Sequence, residues 1–255
     1  MAHGNDRNVV KVDTYREISR SGSRSSGDAY KGLPVHARTG LHGFVADMVA
    51  RYFPPGGTAL DLGAGSGALA ARLSDMGLNV TALDIVPGNF RLHGKVAFIQ
   101  ADLNEAFAER CGGTFDGITA VEIVEHLENP RKFLRECRKL LGDGGRMILS
   151  TPNVDNPVSK GMFLKSGTFQ WFTDFHYEDG GHIMPVTQWL LKKIAAESGF
   201  SIEWLGTFGD PCGGLGPWRR AAAGLIRLLS RYRGELAGEI LVAVLKKVEP
   251  PPDGG

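Results

Sequence analysis

The chain has 255 residues with 29 basic and 28 acidic side chains, a formal charge of +1 and a pI near 7.8. No global field therefore draws it to nucleic acid or an anionic membrane, and any such contact has to be local. Its length suits one sizeable α/β domain with additions and is short for two. Cys111, Cys137 and Cys212 are scattered without Cys-x-x-Cys spacing, which argues against a disulfide framework and for a cytoplasmic location. No apolar run approaches the roughly 20 residues needed to span a bilayer, and the polar start Met1-Ala-His-Gly-Asn-Asp lacks the form of a secretory signal, so a soluble protein is expected.

In chain order, residues 1–30 are polar, with Ser19-Arg-Ser-Gly-Ser-Arg-Ser-Ser-Gly27 among them, and are expected to be a disordered arm. Residues 31–248 are then read as a single domain and 249–255 as a disordered tail. Leu41, Phe44, Val45, Met48, Val49 and Tyr52 recur at helical spacing until Pro54-Pro-Gly-Gly stops them. Thr58-Ala-Leu-Asp-Leu-Gly-Ala-Gly-Ser-Gly-Ala68 joins an apolar strand to a glycine turn and then a helix. Gly63, Gly65 and Gly67 can take backbone angles closed to other residues, and the helix opening near Ala68 points free N–H groups at whatever lies there. Gly63-x-Gly65-x-x-Ala68, with Asp84 roughly 20 residues on, also fits a relaxed dinucleotide fingerprint. Asp61, just before the first glycine, would repel a diphosphate and attract an ammonium or sulfonium.

Further strands are expected near 80–84, 97–100, 116–121 and 146–150, alternating with helical segments, which implies a doubly wound parallel sheet binding ligands at the carboxyl ends of its strands. Pro130 starts a helix with Phe133, Leu134, Cys137, Leu140 and Leu141 on its buried face, where Cys137 is core filler rather than a nucleophile. Residues 154–186 are long for a connection and rich in rings, from Phe163 to His182. They are expected to form an acceptor lid, or equally a satellite core. Thr187 caps a helix carrying Trp189, Leu190, Ile194 and Ala195 and closed by Gly199. Strands follow near 201–206 and 239–247. Between them, 217–233 places Trp218, Ala222, Leu225, Ile226, Leu229 and Tyr232 on one face of a helix and Arg220, Arg227 and Arg231 on the other. Such a helix docks on the sheet or on a second copy of the chain, or meets a membrane surface or lipid-linked substrate.

Taken together, the strand ending in Asp61 before Gly63-x-Gly65-x-Gly67, the second strand ending in Asp84, Phe98-Ile-Gln-Ala-Asp102-Leu103, Phe115 to Pro130, and Leu140 to Asn153 resemble, in order, the motifs of the class I S-adenosylmethionine (SAM) dependent methyltransferases. The resemblance spans about 40–205. It implies a Rossmann-like sheet of about seven strands whose last strand is antiparallel, inserted between the two before it. It also implies SAM as cofactor. Asp61, Gly63, Ala64, Gly65 and Gly67 would form the cradle, Asp84 and Ile85 would sit at the ribose, Asp102 and Leu103 at the adenine, and Val121 and Glu122 at the exit of the fourth strand. Plain structural roles stay open for several of these residues: Asp84 as a helix cap, Asp102 as a turn former.

Glu122, Glu125 and His126 stand at i, i+3 and i+4 and would share a face if the chain turned helical there. A hydroxyl acceptor must lose its proton as it is methylated, so His126 can serve as base with a glutamate orienting it. Alternatively Glu122, Glu125 and His126, completed by His176 or His182, can bind a divalent metal, which is compatible with the pattern but not expected. A third reading has Glu125-His126 merely orienting the loop over the cofactor. The Glu-x-x-Glu-His pattern resembles both the ubiquinone-pathway O-methyltransferases and metal-dependent small-RNA methyltransferases. The RNA version fits poorly, because no basic stripe with interleaved aromatics is present. Ser150-Thr-Pro-Asn153 and Gly181-His-Ile-Met-Pro-Val-Thr187 resemble methyltransferases of quinone, polysaccharide and glycolipid pathways. The expectation is methyl transfer to a small or lipid-linked hydroxyl compound by a cytoplasmic enzyme, with membrane contact through 217–233 and a homodimer as open partners. An NAD-binding oxidoreductase, disfavoured by Asp61 and the lack of a Tyr-x-x-x-Lys pair, and a non-catalytic SAM-binding module are the competing readings.

Overall fold

The computed structural model describes residues 28–229 and 236–248. Most of the expected arm, the tail, and Arg231 and Tyr232 lie outside the described residues. Seven strands form one sheet: β3 (Thr58–Leu62), β4 (Asn79–Asp84), β5 (Ala97–Gln100), β6 (Phe115–Val121), β7 (Leu141–Pro152), β8 (Phe200–Phe208) and β9 (Ile240–Lys247). Their order across the sheet is β5-β4-β3-β6-β7-β9-β8, and β9 runs antiparallel to both neighbours. After β3 the chain builds outward through β4 and β5, then crosses back to lay β6 on the other side of β3. Direction reverses between β3 and β6, and a crevice opens at their carboxyl ends, where such sheets hold ligands.

The helices form because each has an apolar face and a marked end. Helix α1 (Leu41–Tyr52) buries Leu41, Val45, Met48 and Val49. Helix α2 (Ala68–Asp75) follows the glycine turn, and α3 (Pro130–Leu140) is capped by Asn129, whose side chain accepts from the Lys132 amide. Phe133, Leu134, Cys137 and Leu140 are buried on α3 as their spacing requires, and Cys137 is fully enclosed. Residues 154–186 carry two helices, α4 (Pro157–Ser166) and α5 (Asp174–Glu178). Helix α6 (Gln188–Glu197) is capped by the Thr187 hydroxyl, which accepts from the Leu190 amide. Helix α7 (Pro217–Leu229) precedes β9.

Two expectations need correction. The arm expected over 1–30 overlaps the fold, because β1 (Ala29–Tyr30) and β2 (Leu33–Pro34) pair as a small hairpin. The Tyr30 hydroxyl donates to Asp75 at 2.6 Å, and the Arg72 guanidinium lies 4.0 Å from the Tyr30 ring centroid, pinning this hairpin to α2. Trp189, expected on the packed face of α6, is 58% exposed, and Leu191 is buried instead. On α7, Ala223 is buried and Ile226 of the expected apolar stripe is half-buried against α4, while Trp218, Leu225 and Leu229 of the same stripe face outward rather than docking on the sheet.

Candidate cofactor and acceptor site

The turn after β3 sits at the mouth of the crevice. Gly63, Gly65 and Gly67 have φ of +68°, +51° and +88°, the left-handed region that favours glycine. Their spatial demands differ. A Cβ on Gly63 would lie 2.0 Å from Ile123 Cδ1, and one on Gly67 2.9 Å from Phe90, so both are required by the protein's own packing. A Cβ on Gly65 would meet nothing nearer than His36 at 3.8 Å, which leaves the backbone there open to a ligand. Ala64 between them is buried. Asp84, at the end of β4, accepts from the Gly65 amide and the Val86 amide, both at 2.8 Å. It fixes the cradle and, past Ile85, the turn that follows.

Asp61 is pinned below the cradle. Its Oδ1 accepts from the hydroxyl of Thr119, its register partner on β6, at 2.8 Å, while Oδ2 is buried without a hydrogen bond. Burial, with a smaller push from Asp84, raises its pKa to about 7, against the opposing pull of the Thr119 hydroxyl. Asp102 accepts from the Asn104 amide at 2.8 Å, the turn-forming role open to it, and Leu103 beside it is buried. The residues present fit SAM: an open backbone at Gly65, a carboxylate anchored at the end of β4, and an orphaned buried oxygen on Asp61.

The chain leaves β6 at Val121 into Glu122, whose φ is +56°, a costly conformation for a non-glycine residue. Ser150 on β7 holds it there. The Ser150 hydroxyl accepts from the Glu122 amide and donates to Glu122 Oε1, both at 3.0 Å. Burial raises the Glu122 pKa to about 7, with Glu239 adding to it. A single 3₁₀ turn, Val124–His126, follows, so Glu122, Glu125 and His126 do not share an α-helical face as their spacing suggested. Glu125 instead turns inward: it is fully buried, and neither carboxylate oxygen has a hydrogen bond. Burial, reinforced by Glu122, holds its pKa well above the carboxylate range.

His126 and His182 meet Glu125 from two segments, with a ligand atom of each of the three within 4.8 Å of the others. The imidazole rings stand edge to face at 4.8 Å. His126 Nδ1 lies 3.2 Å from the Gly181 carbonyl and His182 Nδ1 2.8 Å from the Trp171 carbonyl, so each ring donates there. Burial, then His182, lowers His126 to about 4, and burial lowers His182. The amides of Ile183 and Met184 both donate to the Glu125 carbonyl at 2.9 Å, which ties residues 154–186 to the cluster. His176 lies on the far side of His182, 6.0 Å between centroids, and is not part of the trio. Ile123, against Gly63, joins the cluster to the cradle.

Sequence reasoning missed Thr119 and Ser150, which hold Asp61 and Glu122 in place. Only strand register puts them opposite those acids. Two surface hollows, of about 200 Å³ between α4 and α7 and about 310 Å³ beside Arg51 and Asp143, lie away from the crevice, which is located by topology and glycine geometry instead.

A Rossmann-like sheet with an antiparallel β9 and an acid-flanked glycine cradle defines a class I SAM-dependent methyltransferase domain. The match to a methyltransferase-domain family over residues 37–204 agrees, and the chain belongs to that family. It is 37% identical over 127 residues to the ubiquinone biosynthesis O-methyltransferase of Xanthomonas axonopodis pv. citri, covering 47% of this chain and 52% of that protein. The chain thus matches only about half the length of such curated relatives. A SAM-dependent methyltransferase from Archaeoglobus fulgidus superposes with a TM-score of 0.58 at 21% identity, over 81% of this chain and 94% of that one. The [4+2]-cyclase SpnF superposes with a TM-score of 0.55 at 13% identity, over 93% and 92%. At such identities these two likenesses speak for the fold alone.

Proposed function

We propose that the protein methylates a hydroxyl oxygen of a small or lipid-linked acceptor. The observation that carries this is the convergence of Glu125, His126 and His182 beside the cradle. When bound, SAM supplies an electrophilic methyl group on a sulfonium. Asp84, Gly65 and the α2 amino terminus hold and orient the cofactor, and the buried walls exclude water. A hydroxyl acceptor must give up its proton as its oxygen is methylated. At neutral pH His126 is unprotonated, the form a base requires. Glu125, buried beside it, would orient the ring.

The orphaned Glu125 oxygens and the two oriented imidazoles favour a second arrangement, in which the same three residues hold a divalent cation that polarises the hydroxyl. Incubation with SAM and a panel of phenols, quinols and lipid-linked alcohols, with and without chelator, tests both. S-adenosylhomocysteine formation with a hydroxyl acceptor supports the proposal, and its suppression by chelator selects the cation. Turnover with amines alone would refute oxygen methylation.

A further inference from the structure

The helix pair α4–α7 stands outside everything assigned so far, and α7 lies beyond the matched family region. Its outward residues are large and apolar: Trp218 is 87% exposed, Leu164 79%, Leu228 74% and Leu229 70%, with Leu225 at 56%. At about 100° per residue, Leu225, Trp218 and Leu229 fall within roughly 40° of arc and Leu228 flanks them. The face that would hide such a stripe is already defined, because α7 rests on α4 through Ala223 and Ile226, where Gly161 allows close approach. Beside the stripe, Phe163 stacks on Phe169 at 4.8 Å, and with Lys160, Leu164 and Ile226 they line an apolar hollow of about 200 Å³.

Charge identifies the occupant. Lys160, Lys165, Arg219, Arg220 and Arg227 lie on these two helices, which contain no Asp or Glu, although the chain as a whole is balanced. A helix with its side chains is about 10–12 Å across, so these cations stay close to one Debye length from any surface that Trp218 touches. An anionic bilayer offers what the face lacks: hydrocarbon for the stripe, an acyl chain for the hollow, and negative headgroups for the flanks.

We propose that the α4–α7 face is a docking surface for an anionic lipid bilayer, with Trp218, Leu225, Leu228 and Leu229 inserted at the interface. The same segment, 154–186, carries both α4 and His182, so docking would bring the acceptor side of the crevice toward the membrane. The proposal does not depend on which acceptor is methylated.

The test is co-sedimentation of the full chain with vesicles of phosphatidylcholine, with and without phosphatidylglycerol. Binding should be stronger to the anionic vesicles and weaken with salt. The exposed double variant W218S/L228S should lower partitioning roughly a hundredfold, the effect of removing two large apolar insertions. The triple variant R219E/R220E/R227E should weaken binding to anionic vesicles alone, by roughly fivefold. Calorimetric binding of S-adenosylhomocysteine should be unchanged in both, which separates failure of this surface from misfolding and from failure of the methyltransferase reading. No vesicle binding, or binding that W218S/L228S leaves intact, overturns the proposal. So does a dimer in sedimentation velocity that W218S/L228S dissociates without any vesicle binding, which would make the face an interface between copies of the chain.

Discussion

Asp84, on the cofactor side of the crevice, gives both carboxylate oxygens to backbone amides, whereas Glu125, on the acceptor side, leaves both without a hydrogen bond. The contrast extends to the backbone. On the cofactor side, left-handed angles fall on Gly63, Gly65 and Gly67; on the acceptor side, they fall on the non-glycine residues Glu122, held by Ser150, and Trp171. Buried polar groups without partners and non-glycine residues at positive φ are costly, and they persist where chemistry needs them. The cofactor half is thus a satisfied framework, and the acceptor half concentrates its strain and its unpartnered polar oxygens where a reacting group would sit. Asp61 lies between the two, with one oxygen matched and one not.

Substitutions can break or sharpen this contrast. The largest expected effect is Gly63→Ala, whose methyl would overlap Ile123 at an already unfavourable φ. We expect a loss of about 3 kcal/mol and a melting temperature lower by about 10 °C, measured by thermal unfolding. Glu125→Gln keeps the shape but removes the ionisable group. It should lower kcat roughly a hundredfold and leave S-adenosylhomocysteine affinity unchanged; equal loss of both would erase the distinction between the halves.

Asp61 makes stability depend on pH. Its pKa is raised from 3.8 to about 7 on folding, so the folded state holds a proton that the unfolded chain releases. Its contribution is fully present below about pH 4 and is lost as pH rises through about 7. Denaturant titrations of the apoprotein should show stability falling by about 4 kcal/mol across that interval, and Asp61→Asn should flatten the decline. Asp84→Asn, which weakens the acceptor pair beneath the cradle, should reduce S-adenosylhomocysteine affinity by about tenfold in calorimetry. The smallest effect belongs to exposed Trp189. Trp189→Ala should change stability by less than about 0.5 kcal/mol, where a packed tryptophan would have cost several.

The cofactor half was legible in sequence because each of its parts is local. Strand, glycine turn and helix are contiguous from Thr58 to Asp75, and the ends of β4 and β5 are marked by Asp84 and Asp102. All seven sheet strands lie within a few residues of their expected positions, since turn and cap residues bracket them. The acceptor half was legible in residue type but not in geometry. Glu122, Glu125 and His126 have helical spacing, yet the positive φ at Glu122 and a 3₁₀ turn send Glu125 inward, and no pattern of side chains announces that. His182 arrives from 56 positions further on, carried by backbone bonds from Ile183 and Met184 to Glu125. On α6 and α7, periodicity defines a stripe but not which neighbour it meets, so Trp189, grouped with the buried Ile194 and Ala195, stands outside, and the Trp218 face had several candidate neighbours.

The central claim is that the crevice between β3 and β6 is a SAM site, and calorimetric titration of the purified chain with S-adenosylhomocysteine, alongside NADH, tests it most directly. The account expects micromolar binding of S-adenosylhomocysteine, weakened in Asp84→Asn, and none of NADH. Binding of NADH instead, or S-adenosylhomocysteine binding that Asp84→Asn and Asp61→Ala both leave unchanged, would contradict the placement of the cofactor and everything built beside it.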